Sequence, residues 1–267
     1  MRKLLPALTI AVVFSYAHDL LAQAPESSYR VRGRSWRAEI DGTIDADNLG
    51  IDGTGIDLSG DLAQDDTLNI NDISGMVNLR GVGKINVQYW WGKWDADVVI
   101  PTTFTWAGSS YTAGSQVSSE LDWQVWTFVF EYAVPGPGLT GGTSSLAAQG
   151  GFRYLGMEAT ISDAGQSNSA RLKGLCPCIG FRGSMQLAQW LTIEAETNGS
   201  FVRSLSGGID GTMWDVAVGV TAKFSMVYGG VGYRIIKMDM NDNRSNVDLF
   251  TASLEVKGLF FEVGLKF

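Results

Sequence analysis

Along most of the chain, apolar and polar residues alternate one for one in runs of roughly ten, separated by turn-forming residues. Ile85, Val87, Tyr89 and Trp91 alternate with Lys84, Asn86, Gln88 and Trp90. Trp214, Val216, Val218 and Val220 alternate with Asp215, Ala217, Gly219 and Thr221. Ile179, Phe181, Met185 and Leu187 do so with Cys178, Gly180, Arg182, Ser184 and Gln186, and Leu191, Ile193 and Ala195 with Thr192, Glu194 and Glu196. A period of two predicts antiparallel strands with two unlike faces, since successive side chains on a strand point to opposite sides. Alternation alone fits a soluble sandwich or a lipocalin-like barrel equally well.

Two other features narrow the choice. Arg2 and Lys3, an apolar stretch from Leu4 to Phe14, and Ala22-Gln23-Ala24 have the order of a secretory signal peptide over residues 1–24. Cleavage after Ala24 leaves Pro25 next, which makes Ala22 the alternative site. Beyond it no run of about 18 apolar residues occurs, which excludes a helical membrane span. The chain closes on Phe261-Glu262-Val263-Gly264-Leu265-Lys266-Phe267, apolar at every second place. This segment resembles the C-terminal insertion signal of Gram-negative outer-membrane β-barrels. The resemblance implies that Phe261, Val263, Leu265 and Phe267 face lipid, that the barrel-assembly machinery is a partner in biogenesis, and that the protein resides in the cell outer membrane. In lipid every backbone polar group must be satisfied within the protein, so a sheet that spans must close.

The expectation is an all-β protein, with residues 25–267 forming a single transmembrane antiparallel up-and-down β-barrel. Ten strands are counted, over 33–45, 73–80, 84–100, 118–134, 144–162, 176–188, 191–198, 211–222, 225–238 and 247–267. Eight or twelve are the alternatives, because 92–117 also reads as an extra hairpin above the membrane. Tight turns fall at Gly81-Val82-Gly83, Pro135-Gly136-Pro137-Gly138, Ala188-Gln189-Trp190 and Ala222-Lys223-Phe224. Short turns of such barrels are periplasmic. In the last strand the parity slips: Phe250, Ala252, Leu254 and Val256 are apolar at even positions, Leu259 to Phe267 at odd ones. A β-bulge near Lys257-Gly258 accounts for the slip without a further turn.

Composition agrees with a wall that is oily on one side and wet on the other. Charged residues make up 18 %, below the roughly 25 % of soluble proteins, with 33 glycines and only 6 prolines. A net charge of −8 excludes nucleic acid as a partner, since binding it requires neutralising phosphates with Lys and Arg. Outer-membrane lipid and lipopolysaccharide are the expected surroundings. Trp90, Trp91, Trp94, Trp106, Trp123 and Trp126 cluster in one third of the chain, and their set fits an interfacial girdle.

Candidate chemistry is sparse. The single histidine, His18, lies in the signal peptide, so Ser–His and Cys–His catalysis in their usual form are excluded from the mature chain. No catalytic residue and no cofactor is expected. The parity places Arg37, Glu39, Asp41, Lys84, Arg182, Glu194, Glu196, Asp215 and Lys223 in the lumen, where opposite charges pair and leave a narrow, weakly cation-preferring path. Cys176 and Cys178 suggest a local disulfide, strained because i and i+2 on a strand diverge from normal geometry. Asp45, Asp47 and Asp57, in the aspartate-rich 41–72 segment, match calcium loops in part, but Asp-Gly turns explain them better. The reading is therefore a porin-like barrel with a narrow pore for ions or small solutes. The alternatives are a plugged structural or surface-interaction barrel acting through acidic extracellular loops, and a histidine-independent enzyme.

Overall fold

The structure, a computed structural model, describes residues 29–48, 51–62, 68–79, 82–134, 144–203, 209–242 and 249–267. The signal-peptide region and the Pro135–Gly138 turn lie outside the described residues. Ten long strands form the barrel: β1 (Tyr29–Ala46), β3 (Leu68–Leu79), β4 (Gly83–Val99), β7 (Gln116–Ala133), β8 (Ser144–Ser162), β9 (Ser167–Ala188), β10 (Leu191–Arg203), β11 (Ile209–Phe224), β12 (Val227–Asp242) and β13 (Phe250–Lys266). Each of the ten pairs antiparallel with its neighbours, and β13 returns to β1 to close the sheet. The seam is finished by mutual backbone hydrogen bonds between Tyr29 and Phe267, at 2.6 and 3.0 Å, and by stacking of their rings. A two-residue strand β2 (Ile56–Asp57) and a hairpin of β5 (Phe104–Trp106) and β6 (Ser109–Tyr111) lie at the long-loop end. The 92–117 region thus contains a hairpin, and it adds nothing to the barrel count of ten.

The register defines the barrel's shape. Stepping strand to strand from Tyr29 through Val77, Ile85, Phe130, Gly150, Ile179, Gly199, Trp214, Lys237 and Glu255 returns to β1 at Asp41, twelve residues on from Tyr29. A stagger of this size requires strands tilted by roughly 35–45°. The β3–β4 connection and the turns at 189–190 and 225–226 share one end with Tyr29 and Phe267. The last of these lies a few residues beyond the Ala222–Phe224 position expected from sequence. Ser225 takes a positive φ of 58° there.

The wall reverses its polarity partway up. Toward the short-turn end the outer face is apolar and exposed, with Val31, Ile85, Phe128, Phe152, Ile179, Phe181, Val216, Val218, Val220, Phe261, Val263 and Leu265. Toward the long-loop end the same outward parity carries Arg37, Glu39 and Asp41 on β1, Lys93, Asp95 and Asp97 on β4, and Lys237 and Asp239 on β12. The interior changes in the opposite sense. It is charged near the short turns and apolar above, where Trp36, Ile40, Ile70, Trp90, Trp94, Trp123, Leu155, Leu172, Met213, Ile236, Leu254 and Val256 are buried. A lipid-facing surface must be apolar, whereas a wall standing in water buries apolar side chains instead. Aromatics mark both limits of the belt: Trp91, Trp126, Tyr154 and Trp214 above, Tyr29, Tyr132, Trp190, Phe224 and Phe267 below.

This reversal corrects two expectations. β13 pairs with β1 without interruption from Arg30↔Lys266 to Ala46↔Phe250, so no bulge exists at Lys257-Gly258. Even positions of β13 point inward throughout; only their chemistry changes, from Glu262 below to Leu254 above. Among the described residues the register shifts between Leu191 and Thr192, where β10 meets β9. Arg37, Glu39 and Asp41 face outward and are exposed, because inward parity on β1 belongs to the even residues Arg34, Trp36, Ala38 and Ile40.

Candidate functional site in the barrel lumen

The lower lumen is built from the polar residues of the inward parity. Arg30, Arg32 and Arg34 ascend β1 two residues apart, so all three guanidiniums enter the barrel together. Arg34 donates to Glu262 Oε2 through Nε and Nη2 at 3.3 and 2.9 Å, and lies over the Phe260 ring at 4.0 Å. Arg30 donates to both oxygens of Glu194 at 3.1 and 3.2 Å and to the Tyr228 hydroxyl at 2.5 Å. Arg182 bridges Glu131 at 2.5 Å and Glu196 at 2.6 Å. Gln149 donates to the same Glu131 oxygen at 2.9 Å.

At the top of this layer Arg234 donates to Asp215 through Nε at 2.8 Å and Nη2 at 2.7 Å, and to Asp72 through Nη1 at 3.0 Å. Gln88 donates to Asp72 as well, and Arg153 reaches Asp215 at 3.4 Å. The paired fork is the strong form of guanidinium–carboxylate recognition. Such pairs offset much of their own desolvation and add little net stability, but deleting one partner strands a buried charge.

Above Arg234 the lumen is packed with apolar side chains. Trp90 and Trp123 meet edge to face at 5.0 Å, and Trp36 is fully buried beside them. Ile56, Leu58 and Leu62 from the 51–62 segment, with Phe104, Trp106 and Tyr111 from the β5–β6 hairpin, are buried over the top. Backbone bonds tie this cap to the wall: Leu58 N–H to Gly42 C=O at 3.0 Å, and Ala107 N–H to Ala46 C=O at 2.9 Å. The Trp106 indole N–H donates to Asn168 C=O at 3.2 Å, and the Tyr111 hydroxyl to Ile161 C=O at 2.8 Å.

The sequence-derived candidates divide into three groups. Arg182, Glu194, Glu196 and Asp215 lie in the network, and Lys84 and Lys223 stand at its open short-turn mouth. Arg37, Glu39 and Asp41 stand outside. Arg30, Arg32, Arg34, Asp72, Glu131, Arg153, Arg234 and Glu262 complete the network and were not among the candidates. For Glu262 the signal was present, since it alternates with the lipid-facing Phe261 and Val263.

Cys176 and Cys178 point inward as buried free thiols. The loop aspartates fold the loop: Asp47 accepts the Gly53 N–H at 2.7 Å, and Asp57 accepts those of Ser59 at 3.0 Å and Gly60 at 2.7 Å. Among the described residues no three acidic, histidine or cysteine side chains converge as a metal site.

The closed, tilted, ten-stranded barrel with an outer apolar belt is the fold of Gram-negative outer-membrane β-barrels. The outer-membrane protease OmpT from Escherichia coli superposes with a TM-score of 0.50 at 11% identity, over 89% of this chain and 96% of that one. The translocator domain of the autotransporter NalP from Neisseria meningitidis gives 0.46 at 14% identity, covering 98% of both chains. The attachment invasion locus protein Ail from Yersinia pestis gives 0.40 at 10% identity, over 91% and 99%. At these identities the fold is what is shared. No protein-family profile matches the chain, and no curated protein matches it in sequence.

Proposed function

We propose that this protein is a closed outer-membrane barrel that neither conducts nor catalyses, and that it works as a rigid support for its extracellular end. The observation that carries the reading is the reversal of polarity: the upper half of the lumen is a packed hydrophobic core under a two-part lid. Water and ions have no favourable route past fully buried Trp36, Trp90 and Trp123. Below them, among the described residues, each inward carboxylate is engaged by at least one guanidinium, which disfavours a role as a general base. The polar outer wall and the capped loops then form the surface offered to lipopolysaccharide and to partners outside the cell.

Planar-bilayer recording of the purified protein tests this. The expected result is an absence of steady conductance steps. Small, cation-preferring steps would instead favour the narrow-pore reading, which the charged lower lumen supports only as far as Arg234, and steady porin-sized steps would overturn both readings.

A further inference from the structure

The lumen network is electrically balanced, but its mouth is not. Six inward guanidiniums (Arg30, Arg32, Arg34, Arg153, Arg182 and Arg234) face six carboxylates (Asp72, Glu131, Glu194, Glu196, Asp215 and Glu262). Below them, at the short-turn end, Lys84, Lys223 and Lys266 also carry inward parity, and Lys223 and Lys266 are exposed. Lys266 lies within Coulomb range of Lys223, Lys84 and Arg30, with Glu194 as the opposing charge. Glu194 is already engaged by Arg30 at 3.1 Å. Three side-chain positive charges therefore share one opening, and the carboxylates nearest them are already engaged: Glu131, opposite Lys84 in the β4–β7 register, by Arg182 at 2.5 Å, and Glu194 by Arg30.

Asn86, two residues in from Lys84 on β4, and Arg30, paired with Lys266 across the β1–β13 seam, help line a small void with Arg32, Ser74, Met76 and Arg182. It has no acidic group on its wall; a second void that shares Arg32 and Arg182 is lined by Glu194, Glu196 and Glu262. Arg32 is almost fully buried there. Its Nε donates to the neutral Ser74 hydroxyl at 3.0 Å, and its nearest carboxylate in range, Glu262 at 3.6 Å, is shared with Arg34. Like charges held together at a low-dielectric wall raise each other's energy, and a multivalent anion relieves this. Lysine ammoniums supply rotatable point charges, while the guanidinium, hydroxyl and amide behind them supply directed donors.

We propose that this mouth binds phosphate-class oxyanions, with Lys84, Lys223 and Lys266 gathering the anion and Arg32, Ser74 and Asn86 lining the inner end of its site. The ligand is either a free phosphate compound or the phosphodiester of a lipid headgroup bent over the rim. The second source is sterically open because the rim lies level with the lower aromatic girdle of Tyr29, Phe224 and Phe267.

The test uses the folded full barrel in zwitterionic detergent at low ionic strength. In one arm inorganic pyrophosphate is titrated calorimetrically. In the other, protein from phosphatidylcholine vesicles with and without phosphatidylglycerol is assayed by native mass spectrometry for retained lipid. Binding in at least one arm is expected, weakened at least tenfold in K84Q/K223Q/K266Q and unchanged in K173Q, whose lysine faces outward on β9. Binding in the first arm alone identifies a free phosphate compound, in the second alone a headgroup. Folded mobility on unheated gels checks that the triple variant remains a barrel. Absence of binding in both arms, or a triple variant equal to wild type, overturns the proposal.

Discussion

The guanidinium of Arg234 lies 5.3 Å from the ring centroid of Trp36, and the two residues mark where the lumen changes from charged to apolar. Trp90 flanks the same guanidinium at 5.8 Å. Arg234 holds Asp215 and Asp72 beneath it while the indoles cover it from above. A buried guanidinium with both carboxylates and aromatic faces in place is well satisfied.

Replacing Arg234 by methionine should therefore cost about 3–5 kcal/mol, because Asp215 and Asp72 lose their shared partner in a buried layer. Urea unfolding of the barrel in lipid vesicles would measure this. A loss under about 1 kcal/mol, within the range of a surface ion pair, would show that water reaches the layer.

The outer belt makes a paired prediction. Val218→Arg, in the middle of the apolar belt, should cost about 2–4 kcal/mol. Thr251→Arg has the same outward orientation but lies on the upper wall of β13, and should stay within about 0.5 kcal/mol of wild type. Equal costs at the two positions would place the upper wall in lipid.

Cys176 and Cys178 are buried on the lumen side as free thiols. A maleimide reagent should leave the folded barrel unlabelled and modify two sites after denaturation without reductant. Failure to label the denatured chain until reductant is added would indicate the strained disulfide that the sequence suggested.

The lid should loosen in acid. Hydrogen bonds from Gly60, and then from the hydroxyl and N–H of Ser59, hold the Asp57 carboxyl below its ordinary value of 3.8. A depressed carboxylate contributes its stabilisation above the unfolded value and loses it as pH falls through the folded one. Protease cleavage within the 51–62 loop should thus rise below about pH 3.8, and Asp57→Asn, which keeps an acceptor but cannot titrate, should flatten that part of the profile. An identical profile in the variant would move the acid sensitivity elsewhere in the loop.

Strand number, direction and pairing order were legible in the sequence because a period of two is local: each residue's side follows from its neighbours alone. What the pattern could not state is which side is inside. Val216, Val218 and Val220 face outward and Leu254 and Val256 inward, yet both runs are apolar at alternate positions. In β13 the change of solvent outside the wall therefore imitates a shift of register, and on β1 the same alternation points Arg37, Glu39 and Asp41 to the lumen although they face outward. A bulge would be confined to one strand, but the same exchange recurs at Trp90-Trp91, at Val125-Trp126 and at Met213-Trp214. The partners were beyond sequence altogether. Arg34 meets Glu262 across 228 positions and Arg234 meets Asp72 across 162, contacts that exist only because the sheet closes on itself. Local alternation determined that these residues form a wall. Closure, and the level at which lipid gives way to water, decided which of them meet inside it.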